Sequence, residues 1–352
     1  MSLLSRGSSI SSSAFDLSQD RRVPEPPSDS VSCVAFSPVA DVLSVASWDN
    51  KVRIYEVNPS TGDSQGRAIY EHQAPVLSTC WLTDGSKVVS GGCDNAVRVY
   101  DPQAGQAIQI GSHDAAVKSV CSVQLGSPMV ASASWDKTLK YWDLRQPTPV
   151  STVQLPERAY IMDTQKTLLV VGCAERRLAI IDLNSPQTIY RASESPLKMQ
   201  TRSIACMPDG TGYAIASIEG RCAIQYVDDA KQSASGFSFR CHRSPVTTPK
   251  VGDNIFAVNA ISFNPGYGTF STAGSDGTVH FWDKEAKFRL RYSEPVGGAI
   301  TSTSFNKNGL LFAYGISYDW SKGYQSNTVN YPTEVRVRVV KEMEVKPRPK
   351  KR

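Results

Sequence analysis

Residues 134–144 read SWDKTLKYWDL: the end of one strand, a tight turn around Asp136, and a second strand closing on an aromatic-Asp pair. The pattern returns as SWDNKVRIYEV from Ser47, GCDNAVRVYDP from Gly92, CAERRLAIIDL from Cys173, SIEGRCAIQYVD from Ser217 and GSDGTVHFWDK from Gly274, with a degenerate SYDWSKG from Ser317. The acidic turn residues are Asp49, Asp94, Asp136, Glu175, Glu219, Asp276 and Asp319, in steps of 45, 42, 39, 44, 57 and 43 residues. A unit of this length holds four short strands, and one such sheet cannot bury both faces alone. The copies must stack, which leaves their turns and loops as the working surface.

A period of about 40–45 residues with an aromatic-Asp ending is the signature of the WD repeat. The expected fold is therefore all-β, a seven-bladed WD-repeat β-propeller spanning residues 29–342. Residues 1–28, rich in Ser, Arg and Pro, read as a flexible tail, and residues 343–352 as a basic tail. Blade one shows its strands as VSCVAF, DVLSVAS, KVRIYEV and AIYEH. The seventh repeat shows only three clear strands, and the missing one is expected from the N-terminal side, near Arg22–Glu25, which would close the ring without an open edge. Two stretches exceed the repeat, 243–258 and 321–332, and long loops on a rigid scaffold are usually functional.

The formal charge of +5, from 38 Lys+Arg against 33 Asp+Glu, is too small to make the whole body a nucleic-acid binder. No apolar run approaches the roughly 18 residues of a membrane span, and the opening MSLLSRGSSISSS lacks a secretory apolar stretch. The chain is expected in the cytosol or nucleus. Cys33, Cys80, Cys121 and Cys206 read as one recurring position of the first blade strand, hence as reduced packing thiols. The sequence has no CxxC pair and its four histidines are scattered, so neither metal nor cofactor is expected. The closing run KPRPKKR from Lys346 is compatible with a nuclear address, a nucleic-acid contact or a solubilising tail.

His113, Ser132, Asp136 and Trp142 share one repeat and could be mistaken for a hydrolytic triad. Ser132, however, sits inside the strand VASAS without a nucleophile elbow. Parts of the set recur (His72 with Ser90 and Asp94; Thr272 with Asp276 and Trp282), and recurrence marks a fold device. The expectation is a buried structural tetrad and no enzymatic activity.

Residues that a blade does not require carry more functional information. Trp48 and Trp135 precede the turn Asp, facing solvent at the mouth of the ring, where aromatic anchors are interface hot spots. Arg221 follows the blade-five turn on that same face. Arg240, Arg243, Lys287 and Arg289 lie in or beside the last strands of blades five and six, a potential positive patch for an acidic peptide.

Beyond the repeats, LPERAY, SPLKMQTRSIAC, FSFRCHR, YGTFSTAGSDGTVHFWDK, SYDWSKGY and the closing KPR together resemble the nuclear-pore-associated WD-repeat mRNA export factors. The resemblance implies a non-enzymatic adaptor that docks the Gle-binding hairpin of an FG nucleoporin and supports poly(A) mRNA export, with a possible mitotic spindle role. It implies residence at the nuclear pore, partly in the cytoplasm, and a monomer within a heterocomplex. It also implies weak or indirect contact with mRNA, and no membrane or small-molecule substrate. Carried over by position, its partner surface uses Trp48, Trp135 and Arg221, with a blade-six patch of Phe239, Trp282, Lys287 and Arg289. Lys287 stands where a fork-shaped Arg is expected, which weakens bidentate pairing there. The sister spindle-checkpoint WD-repeat proteins share EGR, CHR and GSDG, so a kinetochore scaffold is the alternative; SYDWSKGY with the basic tail favours the export branch.

Overall fold

The computed structural model describes residues 14–245 and 252–348. Each repeat forms a four-stranded antiparallel sheet, and the seven sheets stand around a central channel lined by their innermost strands. In blade three the strands run, innermost first, Val117–Leu125, Ser127–Ser134, Thr138–Trp142 and Ser151–Gln154. Val130 to Ser134 of the second strand are all buried, because a middle strand meets a neighbouring blade on each face. Such a strand reads as a continuous run of small and apolar residues. The outermost strand has only one buried residue, Val153.

The acidic turn has a local cause. Lys137 adopts φ 66°, and Asp136 Oδ1 accepts the Thr138 N–H at 2.9 Å. Asn50, Asn95 and Gly277 take the same left-handed conformation beside Asp49, Asp94 and Asp276, each of which accepts an N–H two residues on. A carboxylate that mimics a backbone acceptor, followed by a residue that tolerates positive φ, is what this turn demands.

The core lies between blades. Val123, Leu139 and Tyr141 of blade three pack with Met162, Leu169 and Ile181 of blade four. Fully burying one such side chain is worth about 1.5–3 kcal/mol. Hydroxyls stitch the joints: Ser78 Oγ accepts Val120 N–H at 3.1 Å, Ser203 Oγ accepts Ile261 N–H at 3.1 Å, and Ser302 Oγ accepts Val34 N–H at 3.0 Å. The last of these bonds joins blade seven to blade one.

Buried tetrads add a second lock. In blade three, His113 Nδ1 lies 2.9 Å from Asp136, and Ser132 Oγ is shared between His113 Nε2 at 2.8 Å and the donating Trp142 Nε1 at 2.7 Å. Gly111 makes room for this tryptophan, since a Cβ there would stand 2.1 Å from its ring. Blade six repeats the set with His242, Thr272, Asp276 and Trp282, a histidine that the sequence reading left out. Blade two varies it: His72 engages Ser90 and Asp94, but the Tyr70 hydroxyl from blade one donates to Ser90 in place of an indole.

Three expectations need correction. Residues 14–28 are no free tail: Ala14–Phe15 adds in parallel to the outer strand of blade six, and Arg21–Arg22 supplies the fourth strand of blade seven by pairing with Val337 and Arg336. Phe15, Leu17 and Val23 are buried, too sparse a pattern to register as strands in a polar segment. The C-terminal boundary moves as well, because Glu342–Val345 is a helical turn with Glu344 and Val345 buried. The four cysteines share no single position. Counted from the first residue of their strands (Val31, Val76, Val117 and Thr201), Cys80 and Cys121 coincide, while Cys33 falls earlier and Cys206 later. All eight cysteines are free thiols.

Replacing Ser132 with Ala leaves the buried His113 and Trp142 nitrogens without their common partner. The expected loss is about 2–3 kcal/mol of unfolding free energy in urea titration. A loss below about 0.5 kcal/mol would show that the tetrad is not a lock.

Candidate functional site

Turns between the second and third strands of all blades open at one mouth of the ring. The residue before each acidic turn position there is Trp48, Cys93, Trp135, Ala174, Ile218, Ser275 or Tyr318. Trp135 is 39% exposed and Ile218 42%. Trp48 is half-buried because it stacks on Trp320, with ring centroids 4.8 Å apart. Trp320 was not singled out from sequence, yet it is the most unusual residue of this rim. It holds φ 64° at the turn position that other blades give to Asn, Lys, Arg or Gly, and its buried Nε1 has no hydrogen-bond partner. Strain and an unsatisfied donor in one bulky side chain mark functional surfaces. The signal in the sequence was a tryptophan, in SYDWSKG, at a position that normally tolerates left-handed backbone.

Arg221 starts the strand after the blade-five turn. Its Nε lies 3.6 Å from Glu219 Oε2, and its side chain is 32% exposed. Gly220 bends that turn with φ 61°, where a Cβ would meet the Cys241 carbonyl at 2.8 Å. Arg240 is the cross-strand partner of Arg221 and is exposed. Arg243 donates to the Glu219 carbonyl at 2.8 Å and to the Gly220 carbonyl at 3.4 Å. Its guanidinium is thus half committed to holding the turn. From Arg243 the chain forms a two-stranded ribbon, Arg243–Pro245 with Asp253–Ile255, rising from the same mouth; residues 246–251 of the 243–258 loop lie outside the described residues.

The other candidates form a separate group. Phe239 and Trp282 pack 4.5 Å apart on the outer wall between blades five and six, and the Trp282 indole N–H is spent on Thr272. Lys287 sits in the turn between the third and fourth strands of blade six, at the opposite end of that sheet from the mouth, with its ammonium 5.1 Å above the Phe237 ring. Arg289 lies over Tyr292 at 4.4 Å. The nine partner candidates therefore fall on two surfaces: Trp48, Trp135, Arg221, Arg240 and Arg243 at the mouth, and Phe239, Trp282, Lys287 and Arg289 on the wall.

Below the rim, each innermost strand carries a bulge near its start, and the unpaired residues there (Ser32, Leu77, Lys118, Tyr160, Arg202, Asn259 and Thr301) ring the channel, a space of about 1050 Å³. Arg202 donates to Asn259 Oδ1 at 3.1 Å and to the Asp319 carbonyl at 3.0 Å. Burial, and then the neighbouring Arg202, hold the Lys118 ammonium below its usual range. Two basic side chains, Lys118 and Arg202, thus stand in the throat of this mouth, with Asp163 and Asp319 in the same channel wall.

The tetrad offers no catalysis. Ser132 is fully buried with its Oγ bonded on two sides, so no substrate reaches it. His242, Asp276 and His280 bring three possible metal donors within 4.8 Å. But the two imidazoles stack with centroids 4.4 Å apart and planes 7° from parallel. In-plane lone pairs of stacked rings do not converge on one ion, and both His242 nitrogens already serve the tetrad.

The architecture is thus that of a WD-repeat propeller whose distinctive residues gather on turns. The sequence profile of the WD domain, G-beta repeat, matches residues 19–56, 64–101, 106–143 and 235–283. The chain is 53% identical to the poly(A)+ RNA export protein of Schizosaccharomyces pombe over 98% of this chain and 97% of that protein. It is 51% identical to the mRNA export factor GLE2 of Chaetomium thermophilum (97% and 96% covered) and 42% identical to the mRNA export factor of Xenopus tropicalis (95% and 92%). The chain belongs to the WD-repeat mRNA export factor family.

Burial pushes the Asp163 carboxyl, in the channel wall, up to about 6, while its Oδ2 accepts the Cys206 N–H at 2.6 Å. Folding therefore favours the acid form: this contribution is full below about pH 4 and is lost as pH rises through about 6. Asp163→Asn is expected to flatten the fall in unfolding free energy across that window. An unchanged slope in urea titrations from pH 4 to 7 would refute the assignment.

Proposed function

We propose that this propeller is a non-enzymatic adaptor of the nuclear pore. Its mouth docks the Gle-binding hairpin of an FG nucleoporin, and the docked pair supports export of poly(A) mRNA. The observation that carries this reading is the gathering of Trp48, Trp135, Trp320 and Arg221 around one mouth, above a throat containing Lys118 and Arg202. Half-exposed aromatics gain much by being covered, and cations at the rim select an acidic partner and set its register. The export-factor names of the relatives support the biological setting. The wall group of Phe239, Trp282, Lys287 and Arg289 is a second contact, reachable by a chain that runs from the mouth down the joint between blades five and six. RNA is carried mainly through partners, since the net charge of +5 is modest and the rim lacks a continuous basic-aromatic platform. Residence follows the partner, at the nuclear envelope, with the chain a single copy in a heterocomplex.

Arg221→Glu reverses the rim charge without touching the tetrads. Capture of the nucleoporin hairpin is expected to fall about tenfold or more with the melting temperature unchanged. Undiminished capture would remove Arg221 from the surface. Affinity capture from cells that yields kinetochore components and no FG nucleoporin would overturn the export reading in favour of a checkpoint scaffold.

A further inference from the structure

Both chain ends meet on one guanidinium. Arg338, on the third strand of blade seven, donates from Nη1 to Asp20 Oδ1 at 2.7 Å and to the Asp16 carbonyl at 2.9 Å. From Nε and Nη2 it donates to the Glu344 carboxylate at 3.2 and 2.6 Å. Its planar face lies 4.5 Å over the Phe15 ring. One side chain thus grips the N-terminal strap with one half of its fork and the C-terminal helix with the other.

Packing joins the same partners. Phe15 and Leu17 of the strap share a buried cluster with Val340 and Val345 at the C-terminal side, set against Phe281, Leu290, Phe305 and Phe312 of blades six and seven. The Tyr314 hydroxyl donates to Asp20 Oδ2 at 2.9 Å, and Thr269 Oγ1 donates to the Val345 carbonyl at 2.8 Å. The strap itself is thin. Its two pairing segments hold two residues each, Ala14–Phe15 on blade six and Arg21–Arg22 on blade seven, and isolated strands this short are not stable. Something besides ladder hydrogen bonds must hold it.

We propose that the two chain ends form a single latch, in which the helix Glu342–Val345 and the strap of residues 14–23 dock and release together through Arg338 and the Phe15–Leu17–Val345 cluster. If the helix leaves, Arg338 loses the carboxylate that orients it and the apolar side of Phe15 and Leu17 opens to water. If the strap leaves, Val345 loses its cover in the same way. The coupling is reciprocal, as any coupling between two docking equilibria must be. Its consequence reaches the fold, because the strap supplies the closing strand of blade seven and an added edge strand on blade six. The basic run KPRPKKR begins directly after the helix, so an acidic partner that draws this run away would also unlatch the strap.

The test is amide hydrogen exchange on the full chain. Val345→Asp should evict the helix, Glu344→Gln should weaken its grip without burying a new charge, and a chain ending at Lys341 lacks the helix outright. In each, amides of residues 14–23 are expected to exchange at least tenfold faster while those of blades two to four keep their protection. Phe15→Asp should reciprocally speed exchange at the Lys346 amide, which donates to the Glu342 carbonyl at 2.9 Å. Strap protection unchanged in the chain ending at Lys341, with blades two to four intact, overturns the latch. Accelerated exchange spread evenly over all blades overturns it too, since that is global destabilisation.

Discussion

A blade is stable only between two other blades, and this requirement governs the rest of the molecule. The second strand of each blade is buried along most or all of its length, so every joint must be both apolar and hydrogen-bonded. The protein meets the polar half of that demand in two ways. Inner-strand serines accept N–H groups of the next blade, and a hydroxyl at the centre of blades two, three and six collects a histidine and an aromatic donor. Blade one lacks the histidine and instead pairs Arg53 with Asp49 at 2.8 Å. The joints are equivalent in purpose and unequal in chemistry, so loss of one tetrad need not open the ring.

The repeat was legible because its cause is local. A left-handed residue follows the acidic one in all seven turns, and in five of them the carboxylate accepts the N–H two residues on, all within one short stretch of chain. What sequence did not reveal depends on distant partners. The strap is a strand only because Val335 to Val337 wait for it some 300 residues away, and Phe15 and Leu17 are too few to announce a core face. His242 completes a tetrad from a loop whose enlarged length obscured its register. The inner-strand cysteines misled because a hydrophobic thiol is tolerated at several inward positions, so their recurrence carried no register. At the candidate site the same division holds. The turn tryptophans were visible as departures from the repeat, whereas the pairing of Trp48 with Trp320 joins turns of blades one and seven that meet only when the ring closes.

Separating the partner candidates into mouth and wall changes how the surface must work. Trp282 and Phe239 belong to the joint between blades five and six as much as to any partner, since the indole N–H is already engaged inside. Substituting either would disturb packing and binding at once, and a loss of capture there would be ambiguous. Arg221 and Trp135 touch no tetrad, which makes the mouth the cleaner probe of docking. Arg243 stands between the two classes, because it holds the Glu219–Gly220 turn that presents Arg221.

A ring of near-identical sheets acquires a distinctive face by a simple division of labour within each turn. The acidic position and the left-handed position are constrained by backbone chemistry, and so they repeat. The residue just before them carries no such backbone duty: it is exposed as Trp135 or Ile218, buried as Ala174 or Tyr318, and as Ser275 it donates to Asp319 of the next blade. It therefore varies from Trp to Cys, Ala, Ile, Ser and Tyr around the circle. The throat below obeys the same logic, since a bulge removes one residue per strand from the ladder and frees its side chain to be Ser, Leu, Lys, Tyr, Arg, Asn or Thr. Trp320 is the exception that identifies the face: a constrained position has been given to a large aromatic, at a cost in backbone strain and an unmet indole N–H. The fold gains ring contacts with Trp48 and Tyr318 from that placement but no acceptor for the indole N–H, so under the proposed docking the compensating contact is expected to come from the chain that covers this mouth.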